Sequence, residues 1–133
     1  MRVSTRGRYG LRAMIDIALS DTRAMSLREI SGKQDLSEKY LEHIIRRLVK
    51  EGLVRSVRGP RGGYVLNKPG DKITVGMVLR AVEGSLSPTV CAEGSCEKEE
   101  ECAAAYVWHR LKIAIDEVVD SITLEELCKK ARE

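Results

Sequence analysis

Leu53-Val-Arg-Ser-Val57, Arg58-Gly-Pro-Arg-Gly-Gly63 and Tyr64-Val-Leu66 follow one another without a break in this 133-residue chain. The outer runs are β-type and the middle run is a Gly/Pro turn, which predicts a hairpin with two arginines at its tip. Immediately upstream, Ser37 is a good N-cap for a helix reaching about Glu51. Its apolar positions Tyr40, Leu41, Ile44, Ile45 and Leu48 keep a 3.6-residue period, and Gly52 stops it. Before that, Ser26 with Glu29 is a capping-box signal for a short helix over 26–32, with Gly32 close to its end. Two short helices joined by a tight turn read as a helix-turn-helix. Followed directly by a basic-tipped hairpin, they have the layout of a winged helix.

Further out, residues 7–20 place Leu11, Met14, Ile15, Ala18 and Leu19 on one helical face. Downstream, Lys68-Pro-Gly-Asp71 is a turn, and Thr74 caps a helix over 75–83 that Gly84 ends. Residues 85–101 have loop character. A long helix from about Cys102 to Ser121 carries Tyr106, Val107, Leu111, Ala114, Ile115, Val118, Val119 and Ile122, a stripe wider than a peripheral helix of one small domain needs. The expected partner is the same helix of a second copy, through Val107, Leu111, Ile115, Val118 and Ile122. Thr123 with Glu126 opens a last helix with Leu124, Leu127 and Cys128 inward. The expected fold is mainly α with a small β-hairpin: a winged helix-turn-helix region over 1–72, then a linker helix, cysteine loop and dimerisation helix over 73–133.

Composition agrees with one small domain and narrows its role. The net charge of +3 conceals an asymmetry: 16 Lys/Arg against 8 Asp/Glu in residues 1–72, and 7 against 12 in residues 73–133. A basic half suggests a polyanion as partner. The aromatic share of 4% argues against single-strand recognition by stacking. No stretch approaches the 18 apolar residues of a membrane span, and no secretory signal is visible, so a cytoplasmic setting is expected. The phosphate-binding spacing of a P-loop is absent from the glycine run. No paired acid/base constellation appears, so no enzyme is expected.

On the third helix, the polar positions Ser37, Lys39, Tyr40, Glu42, His43 and Arg46 are candidates for double-stranded DNA, with Arg47 one turn on. Lys39, Arg46 and Arg47 suit phosphate or guanine, and Glu42 could accept from cytosine N4. Arg58 and Arg61 on a glycine loop suit close approach to the backbone or a narrow minor groove. Arg2, Ser4, Thr5, Arg6 and Arg8 add backbone contacts.

Cys91, Cys96 and Cys102 cluster between the two halves. In a reducing compartment such a cluster suggests soft-metal ligands, either iron–sulfur or zinc, or redox thiols. Cys128 reads as an apolar core residue.

Arg6-Gly-Arg-Tyr9, Leu36-Ser-Glu-Lys-Tyr-Leu-Glu42, the wing from Gly52 to Tyr64, Val82-Glu-Gly84 and Ser121-Ile-Thr-Leu-Glu-Glu-Leu127 resemble the Rrf2 family of bacterial transcription regulators, whose branches include IscR, NsrR and CymR. The resemblance spans essentially the whole chain. It implies a homodimer on roughly palindromic operator DNA, acting as a repressor, with Glu42 reading bases and Arg58 entering the minor groove. The trio spaced Cys91-x4-Cys96-x5-Cys102 is similar to the iron–sulfur branch. That implies a 2Fe–2S cluster ahead of a 4Fe–4S one, with zinc behind both. The fourth ligand departs from the pattern: the position of the IscR-like histidine is Ala105, and that of the NsrR-like acidic residue is Arg8. His109 is two turns past Cys102, about 10 Å along the helix, and is a weak candidate. Two other readings stand beside this one: a cluster-free regulator controlled by a partner enzyme, and a small iron–sulfur electron-transfer or cluster-carrier protein.

Overall fold

The structure, a computed structural model, describes residues 2–21, 23–94 and 99–133. Six α-helices and one hairpin follow in chain order: α1 (Thr5–Leu19), α2 (Leu27–Gln34), α3 (Glu38–Lys50), β1 (Val54–Val57), β2 (Gly63–Leu66), α4 (Val75–Glu83), α5 (Ala103–Ser121) and α6 (Leu124–Ala131). Short 3-10 turns lie at Gly70–Lys72, Cys91–Glu93 and Glu99–Glu101, so the expected loop of 85–101 is partly coiled.

Local side-chain chemistry sets most helix starts. The hydroxyls of Ser4, Ser26, Ser37, Thr74 and Thr123 each accept from a backbone N–H in the first turn of α1, α2, α3, α4 and α6. The reciprocal capping box of Ser26 and Glu29 forms as expected. α2 runs past Gly32 to Gln34 and closes on Asp35 in the left-handed conformation, at φ 54°. An aspartate tolerates that region through local side-chain bonding, so the stop lies three residues beyond the glycine.

β1 and β2 pair antiparallel, with Val54 opposite Leu66 and Val57 opposite Gly63. Met25 adds a third strand-like piece by exchanging two backbone bonds with Tyr64, at 3.0 and 2.8 Å. Gly63 makes this possible. It sits at φ 150°, and a Cβ there would collide with the Met25 carbonyl.

One core joins these elements. Met14 and Ile17 of α1, Ile30 of α2, Leu41, Ile44, Ile45 and Leu48 of α3, and Val78 and Val82 of α4 belong to a single buried cluster. Ile73 and Leu124 are in it too, so packing continues across the charge boundary near residue 72. The α6 end is tied in through backbone bonds Val75 to Ile122 (2.9 Å) and Leu124 to Ile73 (2.8 Å). Cys128 is buried, as expected of a core residue, and burial pushes its thiol up. No described helix is long and apolar enough to cross a membrane.

Candidate nucleic-acid interface and cysteine segment

The exposed face of α3 is built by elimination. Leu41, Ile44, Ile45 and Leu48 turn into the core, which leaves the intervening polar residues outside. Ser37, Lys39, Tyr40, Glu42, His43 and Arg46 together line one shallow depression of about 460 Å³. Glu42 and Arg46 pair across one turn at 3.1 Å, with both side chains well exposed. That pair is weak in water, so either member is available to a base edge or phosphate. Arg47 turns the other way: its guanidinium donates to the Val82 carbonyl of α4 at 3.4 Å.

Tyr40 is half-buried, and its hydroxyl shares a 2.9 Å hydrogen bond with Thr5. Its ring meets Tyr9 edge-on at 6.4 Å. Arg8 and Arg12 lie over the Tyr9 ring, at 5.9 and 5.4 Å. The start of α1, with Arg2, Arg6 and Arg8, is thereby fixed beside α3. Ser4 is the α1 N-cap, and its hydroxyl bonds to Glu83. Sequence reasoning gave no sign of that contact, because residues 4 and 83 meet only through the tertiary fold.

Arg58 and Arg61 are exposed at the hairpin tip, and neither has an ion-pair partner among the described residues. The tip is closed by a bond from the Gly62 N–H to the Gly59 carbonyl at 2.9 Å.

In the cysteine segment, Cys91 begins the Cys91–Glu93 turn and is half-buried; that turn packs against α5. Cys102 is the exposed residue that caps α5. Ala92 and Ala105, both buried, lie on these two elements. The turn thus packs on α5, and Cys102 stands at the N-terminal end of that helix. Cys96 lies outside the described residues, and among those described no three metal-type donors gather. Ala105, at the position of the expected histidine, offers no ligand, and His109 is half-buried one turn further along the helix.

α5 is held to α4 by charge. Arg80 reaches Asp116 at 2.8 Å and Asp120 at 2.6 Å, and Lys112 reaches Asp116 at 2.8 Å. The Lys112 hydrogen bond, with that of Arg80, holds the Asp116 carboxyl below the ordinary range. Of the expected dimer residues, Val107 and Val118 are exposed, while Leu111, Ile115 and Ile122 are half-buried. Ile113 and Tyr106 are also exposed on this helix, and Tyr106, Val107 and Leu111 border a small apolar depression with Arg110.

Comparison with known proteins places this geometry. The profile of the Rrf2 family, described as iron-dependent transcriptional regulators, matches residues 3–130. The chain is 43% identical over 129 residues to the transcriptional regulator IscR of Pectobacterium atrosepticum, covering 96% of this chain and 79% of that protein. It is 44% identical over 128 residues to the regulator CymR of Bacillus subtilis, covering 96% and 89%. Among solved structures, CymR, the global cysteine regulator of B. subtilis, superposes with a TM-score of 0.85 at 41% identity over 98% of both chains. IscR of T. potens superposes with a TM-score of 0.78 at 42% identity, covering 98% of this chain and 88% of that one.

Proposed function

The chain belongs to the Rrf2 family and is a transcriptional regulator, and from that premise we propose that it binds double-stranded operator DNA in the cytoplasm as a homodimer, under control of the cysteine segment. The observation that carries this reading is the α3 face, where six residues expected to meet DNA line one depression. Ser37, Lys39, Glu42, His43 and Arg46 enter the major groove, with Glu42 as a base-reading acceptor. Arg58 and Arg61 at the wing tip take the neighbouring minor groove or its phosphates. Arg2, Ser4 and Arg6 fix the register on the backbone. In the dimer, α5 packs on its copy through Val107, Leu111, Ile115, Val118 and Ile122, and the two reading units meet two half-sites.

Cys91, Cys96 and Cys102 are the residues that would hold an iron–sulfur cluster, 2Fe–2S ahead of 4Fe–4S, with zinc as the lesser alternative. Bound there, a cluster would supply a redox-sensitive link between thiolates. Thiolate donors suit such a group, and the iron-dependent description of the family supports it. The fourth ligand is open, with His109 the weak candidate. The segment they occupy joins α4 to α5, so its order sets how the reading unit sits relative to the dimer helix. Repression is the expected outcome at the operator.

A second reading has its own observation. The chain superposes on the global cysteine regulator CymR with a TM-score of 0.85, which favours a regulator without a cluster that takes its signal from a partner enzyme. Selection from a randomised duplex pool tests the DNA reading. Wild type should enrich a roughly palindromic site, and Glu42→Ala should shift its preferred bases. Enrichment of nothing, or of the same bases by both, would refute it. Iron and sulfide analysis with visible spectra after anaerobic purification separates the two sensing modes.

A further inference from the structure

We propose that Glu83 is a positioning residue that ties the basic N-terminal arm to the start of the cysteine-bearing segment, so that DNA binding and the conformation of that segment are linked. The inference rests on the DNA-binding reading above. One carboxylate oxygen of Glu83 accepts from the Ser4 N–H at 2.9 Å, from the Gly7 N–H at 3.2 Å and from the Ser4 hydroxyl. It sits at the N-terminus of α1, where unpaired N–H groups and the helix dipole favour an anion. The fit is close: a Cβ on Gly7 would lie 2.7 Å from that oxygen and 2.7 Å from Val3.

A cap alone would need nothing more, but the surroundings give this one a second role. Glu83 is the last residue of α4, and its neighbour Val82 is fully buried. The Val82 carbonyl accepts from Arg47 of α3. Thr5, one residue past Ser4, shares its hydrogen bond with Tyr40 of α3. The last two residues of α4 thus hold both elements that face DNA. Gly84 comes next, at φ 86°, and from it the chain runs to Cys91. A displacement of the chain at Gly84 reaches Glu83 through a single peptide plane and so reaches the seat of Arg2, Ser4 and Arg6. Linkage is reciprocal: DNA that fixes the arm must also bias the segment after Gly84.

The test uses the full chain and a fluorescein-labelled duplex of mixed sequence, with wild type, Glu83→Ala, Glu83→Asp and Glu83→Gln. Anisotropy titrations at several salt concentrations give the affinity and its salt slope. Hydrogen exchange with and without duplex follows residues 84–94. In wild type, duplex should slow exchange in 84–94. Glu83→Ala should bind several-fold more weakly, with a slope shallower by about one to two phosphate contacts, and duplex should leave its 84–94 exchange unchanged. Glu83→Asp keeps the charge and the helix but is one methylene short, so it should behave like Ala. Glu83→Gln keeps an acceptor within reach but loses the charge, so it should fall between wild type and Glu83→Ala in both affinity and the 84–94 response. Lower melting temperatures with unchanged slope and unchanged response in 84–94 would leave only a cap and overturn the inference. Normal wild-type binding with no change in 84–94 would overturn it as well. If wild type fails to bind the duplex at all, the DNA reading falls and takes this inference with it.

Discussion

α3 and α5 are both amphipathic helices, yet the chain treats them differently. Over 13 residues α3 buries Leu41, Ile44, Ile45 and Leu48 to 1% exposure or less. Over 19 residues α5 fully buries only Ala105, while Tyr106, Val107, Ile113 and Val118 stand 66%, 47%, 56% and 58% exposed. The apolar stripe of α3 finds its partners, α1, α2 and α4, within the same chain. That of α5 does not: Val107 and Val118 lie exposed on one side of the helix, next to half-buried Leu111, Ile115 and Ile122, and an exposed apolar strip of this kind is a candidate interface. Shape in the first region follows from burial; in the second it follows from ion pairs to α4 on one face, while the proposed copy of the chain would cover the other.

The sharpest way to break that contrast is to substitute one residue on each helix. Ile44→Ala should destabilise the fold by about 2–5 kcal/mol, the range for deleting a fully buried aliphatic side chain, as read by urea denaturation. Val118→Asp should leave the fold of each chain intact but weaken dimerisation by about 2 kcal/mol, the scale of an interface hot spot. Sedimentation equilibrium measures it. If Val118→Asp unfolded the chain as severely as Ile44→Ala, or left the dimer unaffected, the two helices would not differ as described.

Legibility in the sequence divides along the same line. Ser26 with Glu29, Ser37, Thr74 and Thr123 were readable because a cap involves residues three apart in one chain segment. The wing was readable because glycines and β-type runs alternate over 14 residues, from Leu53 to Leu66. The α3 face was readable because burial of one side leaves the other by geometry. The Met25–Tyr64 pairing, the inward turn of Arg47 and the seat of Glu83 were not, since each depends on partners 35 or more residues away. The rotation of α5 was only partly readable. The stripe put Leu111 and Ile115 together with Val107 and Val118, but did not show that the first two are half-buried and the last two exposed, and it left out the exposed Ile113. Arg80, on another helix, selects which face turns inward.

A smaller effect belongs to the wing, which tests whether charge at the periphery acts as its exposure suggests. Arg61 carries no ion pair among the described residues, so its full charge is available to a phosphate. Arg61→Ala should weaken binding to all duplex sequences a few-fold and lower the magnitude of the salt slope by about 0.9. An unchanged slope in anisotropy titrations would remove the wing tip from the phosphate contacts.

The smallest effect concerns the charges that hold α5 to α4. Lys112 and Arg80 hold the Asp116 carboxyl below its usual value of 3.8, so in acid the native chain binds fewer protons there than the unfolded chain does. The resulting stabilisation is complete above about pH 4–5 and is lost as pH falls below 3.8 toward the folded-state value. Arg80 and Asp116 are roughly a third exposed, and solvent screening limits the contribution to about 1 kcal/mol or less. Wild type should therefore melt slightly above Asp116→Asn at neutral pH, with the gap narrowing as pH falls below 3.8. A gap that stayed constant to pH 3 would mean that the substitution acts through packing, and α5 would then resemble α3 more than its exposure indicates.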